Sequence, residues 1–159
     1  LVYDVSHNIA KFEEHKVNGG TKKVCVHRKG ATRAFPKGHH MIPEAYRNAG
    51  QPVLIPGDMG RGSYVLVGTE TAMEETFGTC CHGAGRILSR RKAVKAGRGR
   101  NIFRELQEMG VSIAASGKRT VAEEMPEAYK DAALVCNVVH DAGIARKVAK
   151  LRPVGVIKG

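Results

Sequence analysis

SYVLVGTETAMEETFGTCCHGAGR, Ser63 to Arg86, passes through three kinds of local structure in quick succession. Ser63 to Gly68 is a short apolar run of strand length and composition. Thr71-Ala72-Met73-Glu74 has the Ser/Thr-x-x-Glu spacing of a capping box, so a helical turn is expected to open there. Gly78 interrupts it, and Cys81 to Arg86 then sets His82 beside two glycines, with Arg90, Arg91 and Lys92 close behind. A helix is expected over Gly85 to Lys95, its N-terminal end directed at whatever His82 holds. This grouping suits a histidine that takes up a phosphoryl or nucleotidyl group. It offers an unhindered nitrogen, backbone N–H groups that can approach phosphate oxygens, and guanidinium forks to neutralise them. On spacing alone, a glycine-rich turn with an incidental histidine fits equally well.

Working outward, Leu1 to Phe12 reads as a strand, Asn18 to Gly20 as a turn and Lys22 to Lys29 as an alternating strand, together a hairpin. Gly30 to Pro56 is rich in loop residues. Downstream, Asn101 to Met109 reads as an amphipathic helix stopped by Gly110, and Val111 to Ser116 as a strand. Thr120 and Glu123 form a second capping-box pair ahead of Pro126. Asp131 to about Lys150 is expected to be helical, with Leu134, Val135, Val138, Val139 and Val148 on its apolar face, and Pro153 to Ile157 to be a final strand. Strands and helices alternate without the rhythm of a doubly wound sheet. The expected class is therefore α+β, with mixed sheets and surrounding helices. No repeat or linker marks a boundary within residues 1–159.

The chain has 159 residues, 42% of them hydrophobic, enough for the core of one domain. A net charge of +11 favours polyanionic partners such as nucleic acid, nucleotide phosphates or an anionic surface. A basic surface that serves only solubility is the alternative. No stretch approaches the ~20 consecutive apolar residues of a membrane span, so no membrane partner is expected. Four cysteines without CxxC spacing build no zinc ribbon and predict a reduced, cytoplasmic setting. With no Trp and few other aromatic residues, a single strand of nucleic acid is expected to be gripped through its backbone. The start at Leu1 and the strand-like LVYDVSHN suggest a fragment.

Seven collinear blocks carry a resemblance: YDVSHN (Tyr3 to Asn8), VHRKGATRAFP (Val26 to Pro36), GQPVLIPG (Gly50 to Gly57), GSYVLVGT (Gly62 to Thr69), CHGAGR, SRR and LRPVGVIKG (Leu151 to Gly159). In these the chain resembles the C-terminal part of RtcB-type RNA ligases, which implies that 1–159 is the C-terminal portion of one larger catalytic domain. The resemblance implies a GTP- and Mn2+-dependent enzyme that joins RNA ends bearing a 2',3'-cyclic phosphate or 3'-phosphate to a 5'-hydroxyl, as in tRNA splicing and RNA repair. By motif position His82 is its guanylylated nucleophile, and His7 a manganese ligand. Asn8, Pro56, Gly57, Asp58, Met59, Ser63, Gly83, Ala84 and Gly85 fall at nucleotide-binding positions, and Tyr129 and Lys158 where guanine is recognised. Arg28, Lys29, Arg33, Arg86 and Arg90 are the candidates for phosphate or RNA. The implied partners are tRNA halves, GTP and an archease-like activating protein. The nucleotide loop departs from the family pattern, with Asp58 in place of a serine; a carboxylate there repels a triphosphate unless metal or Arg61 compensates. The family's remaining metal ligands lie N-terminal to Tyr3, so this piece alone is expected not to ligate. The alternative is a truncated or degenerate relative that keeps only a basic RNA- or nucleotide-binding surface.

Overall fold

A computed structural model describes residues 2–158. Its first feature is an antiparallel ribbon of β1 (Asn8–Val17) and β2 (Gly20–Lys29), with Val17 opposite Gly20. Asn18 and Gly19 turn the chain with φ of 52° and 79°, the paired positive angles of the two-residue hairpin turn that Asn-Gly favours. Alternation along the ribbon buries Glu13, His15 and Arg28 on one face and leaves Phe12 69% exposed on the other. Arg28 donates to both Glu13 carboxylate oxygens at 2.8 Å, to Thr79 Oγ1 at 3.0 Å and to the Phe77 carbonyl at 2.9 Å. This charge-assisted fork anchors the base of the hairpin to the body. Burial pushes the Glu13 pKa up, but the hydrogen bonds from Arg28 and His15 outweigh it and hold the carboxyl below its ordinary range.

The strand expected from Leu1 starts only at Asn8, and Leu1 and Gly159 lie outside the described residues. The stretch before Asn8 has no ladder partner and is tied down instead by side chains. Tyr46 Oη donates to the Val2 carbonyl at 2.5 Å and Gln51 Nε2 to Tyr3 Oη at 3.1 Å.

There follow β3 (Ala31–Arg33), α1 (Glu44–Arg47), β4 (Pro52–Ile55), β5 (Ser63–Gly68), α2 (Glu70–Thr76) and β6 (Thr79–Cys81). Then come α3 (Arg90–Ala96), α4 (Ile102–Glu108), β7 (Ser112–Ala115), α5 (Lys118–Glu123), a 3-10 turn (Pro126–Ala128), α6 (Ala132–Asp141), β8 (Ala145–Leu151) and β9 (Gly155–Lys158). The stretch expected to be loop thus contains β3, α1 and β4. One body is the antiparallel sheet β4-β5-β8, with α2 and α6 against it and Val53, Ile55, Leu66, Ala72, Cys80, Cys136 and Ala145 in its core. β8 is an edge strand, and the register of its pairing slips between Val65 and Leu66. The second body packs α3, α4 and α5 with the parallel pair β7-β9 around Ile102, Leu106, Val111, Val121 and Met125. Mixed small sheets and helices make the class α+β, as the sequence implied.

Four boundaries differ from expectation for identifiable reasons. Thr69, not Thr71, caps α2, accepting from the Ala72 N–H at 3.4 Å. α5 follows Gly117, which places Thr120 inside the helix. Gly85 adopts φ +76°, a left-handed conformation that cannot start a helix, so α3 begins after Ser89, whose side chain accepts from the Lys92 N–H. The long C-terminal helix ends at Asp141, because Gly143 at φ +72° reverses the chain and Ala145 onward joins β5 as strand. The apolar face also differs: Leu134 and Val138 are 65% and 70% exposed, while Ala132 and Cys136 are buried. α6 approaches the Gly57 loop so closely that a Cβ at Gly57 would lie 3.4 Å from the Ala132 Cβ, which leaves room only for small side chains.

Candidate functional site

Between the two bodies lies a cleft of about 710 Å³. Pro56, Gly57, Asp58, Met59, Ser63, His82, Gly83, Ala84, Gly85, Tyr129 and Lys158, expected at a nucleotide site, all line it. One wall is the loop between β4 and β5 with the turn after β6; the other is the segment from Glu124 to Tyr129 together with β9.

The first wall is fixed by backbone. A Cβ at Gly57 would stand 1.7 Å from the Gly62 carbonyl oxygen, and one at Gly62, at φ +117°, 2.6 Å from that of Leu151. Only glycine permits a loop folded this tightly. Ser63 stitches it, its Oγ accepting from the Gly57 N–H at 3.1 Å. Asp58 is turned into the same loop: its side chain is 1% exposed and accepts from the Gly60 and Arg61 N–H groups at 3.0 and 2.8 Å and from Arg61 Nε at 2.5 Å. The repulsion expected from this carboxylate is thereby answered by Arg61. The same guanidinium donates across the cleft to the carbonyls of Pro126 and Tyr129, at 2.8 and 3.0 Å.

His82 is held by its own N–H, which donates to the Gly30 carbonyl at 3.1 Å. Its ring stacks on that of His7, with centroids 4.6 Å apart and planes 12° from parallel. Nδ1 is buried, with no hydrogen-bond partner at close range. Burial lowers the imidazole pKa, the neighbouring His7 lowers it further, and the Leu54 backbone partly offsets them. Both effects favour the uncharged imidazole over the imidazolium. His7 is exposed, and Asn8 Oδ1 accepts from the Gly30 N–H at 3.4 Å; neither lines the cleft.

The second wall is fixed by charge. Arg86 Nη1 donates to Glu124 Oε1 at 3.0 Å and to Tyr129 Oη at 2.7 Å, and its guanidinium lies 4.7 Å from the centre of the Tyr129 ring. Its remaining donors reach the carbonyls of Leu88 and Glu123. Tyr129 Oη donates to Glu124 Oε2, and Lys158 Nζ stands 3.8 Å from the same oxygen. Burial and the Glu124 carboxylate both raise the tyrosine pKa. Glu124 thus joins the two residues expected to read guanine. Sequence reasoning missed it because the second acid of Glu123-Glu124 has no local mark.

The basic candidates separate. Arg28 is buried under Glu13 and Arg86 is spent inside the wall, so neither presents a free guanidinium to a phosphate. Lys29 and Arg90 are exposed, and Arg33 is half-buried with its guanidinium 5.2 Å from the centre of the Phe35 ring. Among the described residues no group of three or more His, Cys, Asp or Glu side chains could hold a metal ion. His7 offers a single imidazole, and with that donor set the described residues do not fit a bound manganese ion by themselves. No helix among them is long and apolar enough to cross a membrane.

A family model described as tRNA-splicing ligase RtcB matches residues 1–159. The tRNA-splicing ligase RtcB of Thermococcus kodakarensis is 60% identical over the whole of this chain, which covers 33% of that protein. The Archaeoglobus fulgidus protein of the same name is 59% identical with the same 33% covered, and that of Pyrococcus abyssi 60% identical with 17% covered. The chain therefore spans between about a sixth and a third of the length of these curated relatives. Matched from its first residue to its last, and built around the cleft that the shared blocks line, the chain belongs to the RtcB family of tRNA-splicing ligases.

Proposed function

We propose that this chain supplies the guanylylated histidine and much of the GTP pocket of an RNA ligase that joins 3'-phosphate or 2',3'-cyclic phosphate ends to 5'-hydroxyl ends. The observation that carries the reading is the placement of His82, which lines the same cleft as Tyr129 and Lys158.

The chemistry proceeds by exchange of leaving groups. A ring nitrogen of uncharged His82 attacks the α-phosphorus of GTP, forming an N–P bond as the P–O bond to pyrophosphate breaks. An oxygen of the RNA 3'-phosphate then attacks the same phosphorus, the N–P bond breaks, and GMP is transferred to the RNA end. A cyclic end first takes up water to open to the 3'-phosphate. The 5'-hydroxyl attacks the activated RNA phosphorus, loses its proton, and GMP departs. The activation is needed because an unmodified 3'-phosphate would have to expel oxide or hydroxide.

Glycines of the first wall let backbone N–H groups approach the phosphates. Lys158 can donate to O6 and N7 of guanine, and Tyr129 is held beside it by Arg86 and Glu124. His7 would contribute one imidazole to a divalent manganese ion, which would supply charge neutralisation at the phosphates. The reading places tRNA halves among the substrates, an archease-like protein as activator, and the cytoplasm as its compartment. Incubating the full-length protein that carries this chain with α-phosphate-labelled GTP and Mn2+ should transfer label to His82. Label that persists in His82→Ala would overturn the assignment.

A further inference from the structure

Between Glu75 and Glu105 the chain has no acidic residue. Within that interval Arg86 is consumed in the cleft wall, and Arg100 pairs with Glu105 and Glu127. Arg90, Arg91, Lys92, Lys95 and Arg98 are all exposed, and among the described residues none of the five is in an ion pair. They occupy α3 and the turn after it. The other side of this helix carries small residues: Ala93 is fully buried, and a Cβ at Gly97 would lie 3.4 Å from the Ala122 Cβ. The helix is thus pressed against α5, and its long cationic side chains are left to solvent.

The arrangement works against the helix itself. Arg91 and Lys95 stand four residues apart, a like-charge spacing that destabilises a helix, and no acid lies within a helical turn of either along the chain. A polyanion would. The helix also leaves directly from the second wall, since the Ile87 and Leu88 N–H groups donate to the Ala128 carbonyl at 2.8 and 3.2 Å, one residue before Tyr129. The hairpin is different in kind. Its exposed lysines are interspersed with Glu14, which stands opposite Lys23 in the ladder.

We propose that α3 and the turn after it form a track for the phosphate backbone of single-stranded RNA, separate from the cleft that receives the RNA end. This rests on the ligase reading and moves the RNA-facing role from Arg86 to the helix beyond it. Each cation that meets a phosphate releases a counterion, so binding through the track carries a defined salt dependence.

The test uses the intact protein and a labelled single-stranded RNA oligonucleotide ending in a 3'-phosphate, with affinity measured across a salt series. The triple variant Arg91→Gln, Lys92→Gln, Lys95→Gln should flatten the slope of log affinity against log salt by about 2, roughly 0.7 for each cation removed. A control variant, Lys16→Gln, Lys22→Gln, Lys23→Gln, removes the same charge from the hairpin and should leave the slope nearly unaltered. An unchanged slope in the α3 variant, or an equal flattening in both variants, overturns the proposal. GTP labelling of the parent protein tests the reading of the cleft by a different measurement, so the failure of one is told apart from the failure of the other.

Discussion

Two arginine–glutamate clasps, built from the same groups, sit in different surroundings. At the base of the hairpin Arg28 grips Glu13 with side-chain exposures of 0% and 1%, and every partner is protein. At the cleft Arg86 grips Glu124 with exposures of 25% and 19%, and the same carboxylate is shared with Tyr129 and Lys158. Buried ion pairs are costly to break because the surviving charge is stranded away from water, whereas a half-exposed pair can be rehydrated or exchanged. The first clasp is therefore a structural joint. The second is a setting for side chains that line the cleft.

The sharpest way to break this contrast is Arg28→Ala. It should remove about 3–5 kcal/mol of stability in denaturant unfolding, because Glu13 is left buried and unpaired. A loss no larger than that of a surface substitution would erase the distinction. Acid should reveal the same joint. The Glu13 pKa lies below its ordinary 4.5 in the folded chain, so its contribution is present above that value and is lost as pH falls through the lower folded value. Unfolding followed against pH should lose part of its acid slope in Glu13→Gln.

At the cleft the expected response is in function. Glu124→Gln should raise the KM of GTP for labelling His82 by about tenfold, equivalent to ~1.4 kcal/mol, with a smaller change in the rate at saturation. A fall in saturating rate with KM unchanged would place Glu124 elsewhere in the reaction. The smallest effect belongs to the solvated pair Arg104 and Glu108, at 2.8 Å on α4 with side chains 76% and 63% exposed. Arg104→Ala should leave the thermal midpoint and the GTP response indistinguishable from the parent.

What was legible in the sequence follows the range of the interactions. The hairpin was visible because Asn18-Gly19 specifies its turn locally, and SYVLVG because a run of apolar β-formers needs no distant partner. The cleft was visible through whole motif blocks, and its two walls do meet. The fate of individual cations was not. Arg28 and Glu13 are 15 residues apart, and Arg86 and Glu124 are 38 apart, so whether an arginine faces a phosphate or a carboxylate was decided by pairing absent from either local stretch. The α6 face was misread for a related reason. Hydropathy favours Leu134 and Val138, but the space against the Gly57 loop admits only residues such as Ala132.

The slipped register of β8 bears on how copies of this protein behave toward one another. Among the described residues β8 is the last strand of its sheet, and it offers backbone donors and acceptors that another strand could extend. It carries Arg146, Lys147 and Lys150, all exposed, and its ladder is interrupted beside Val65 and Leu66. Charge repels a second copy and the irregularity spoils a flat template, two devices that keep open edges from seeding aggregates. The cations of this strand thus make the edge a poor seed for self-assembly.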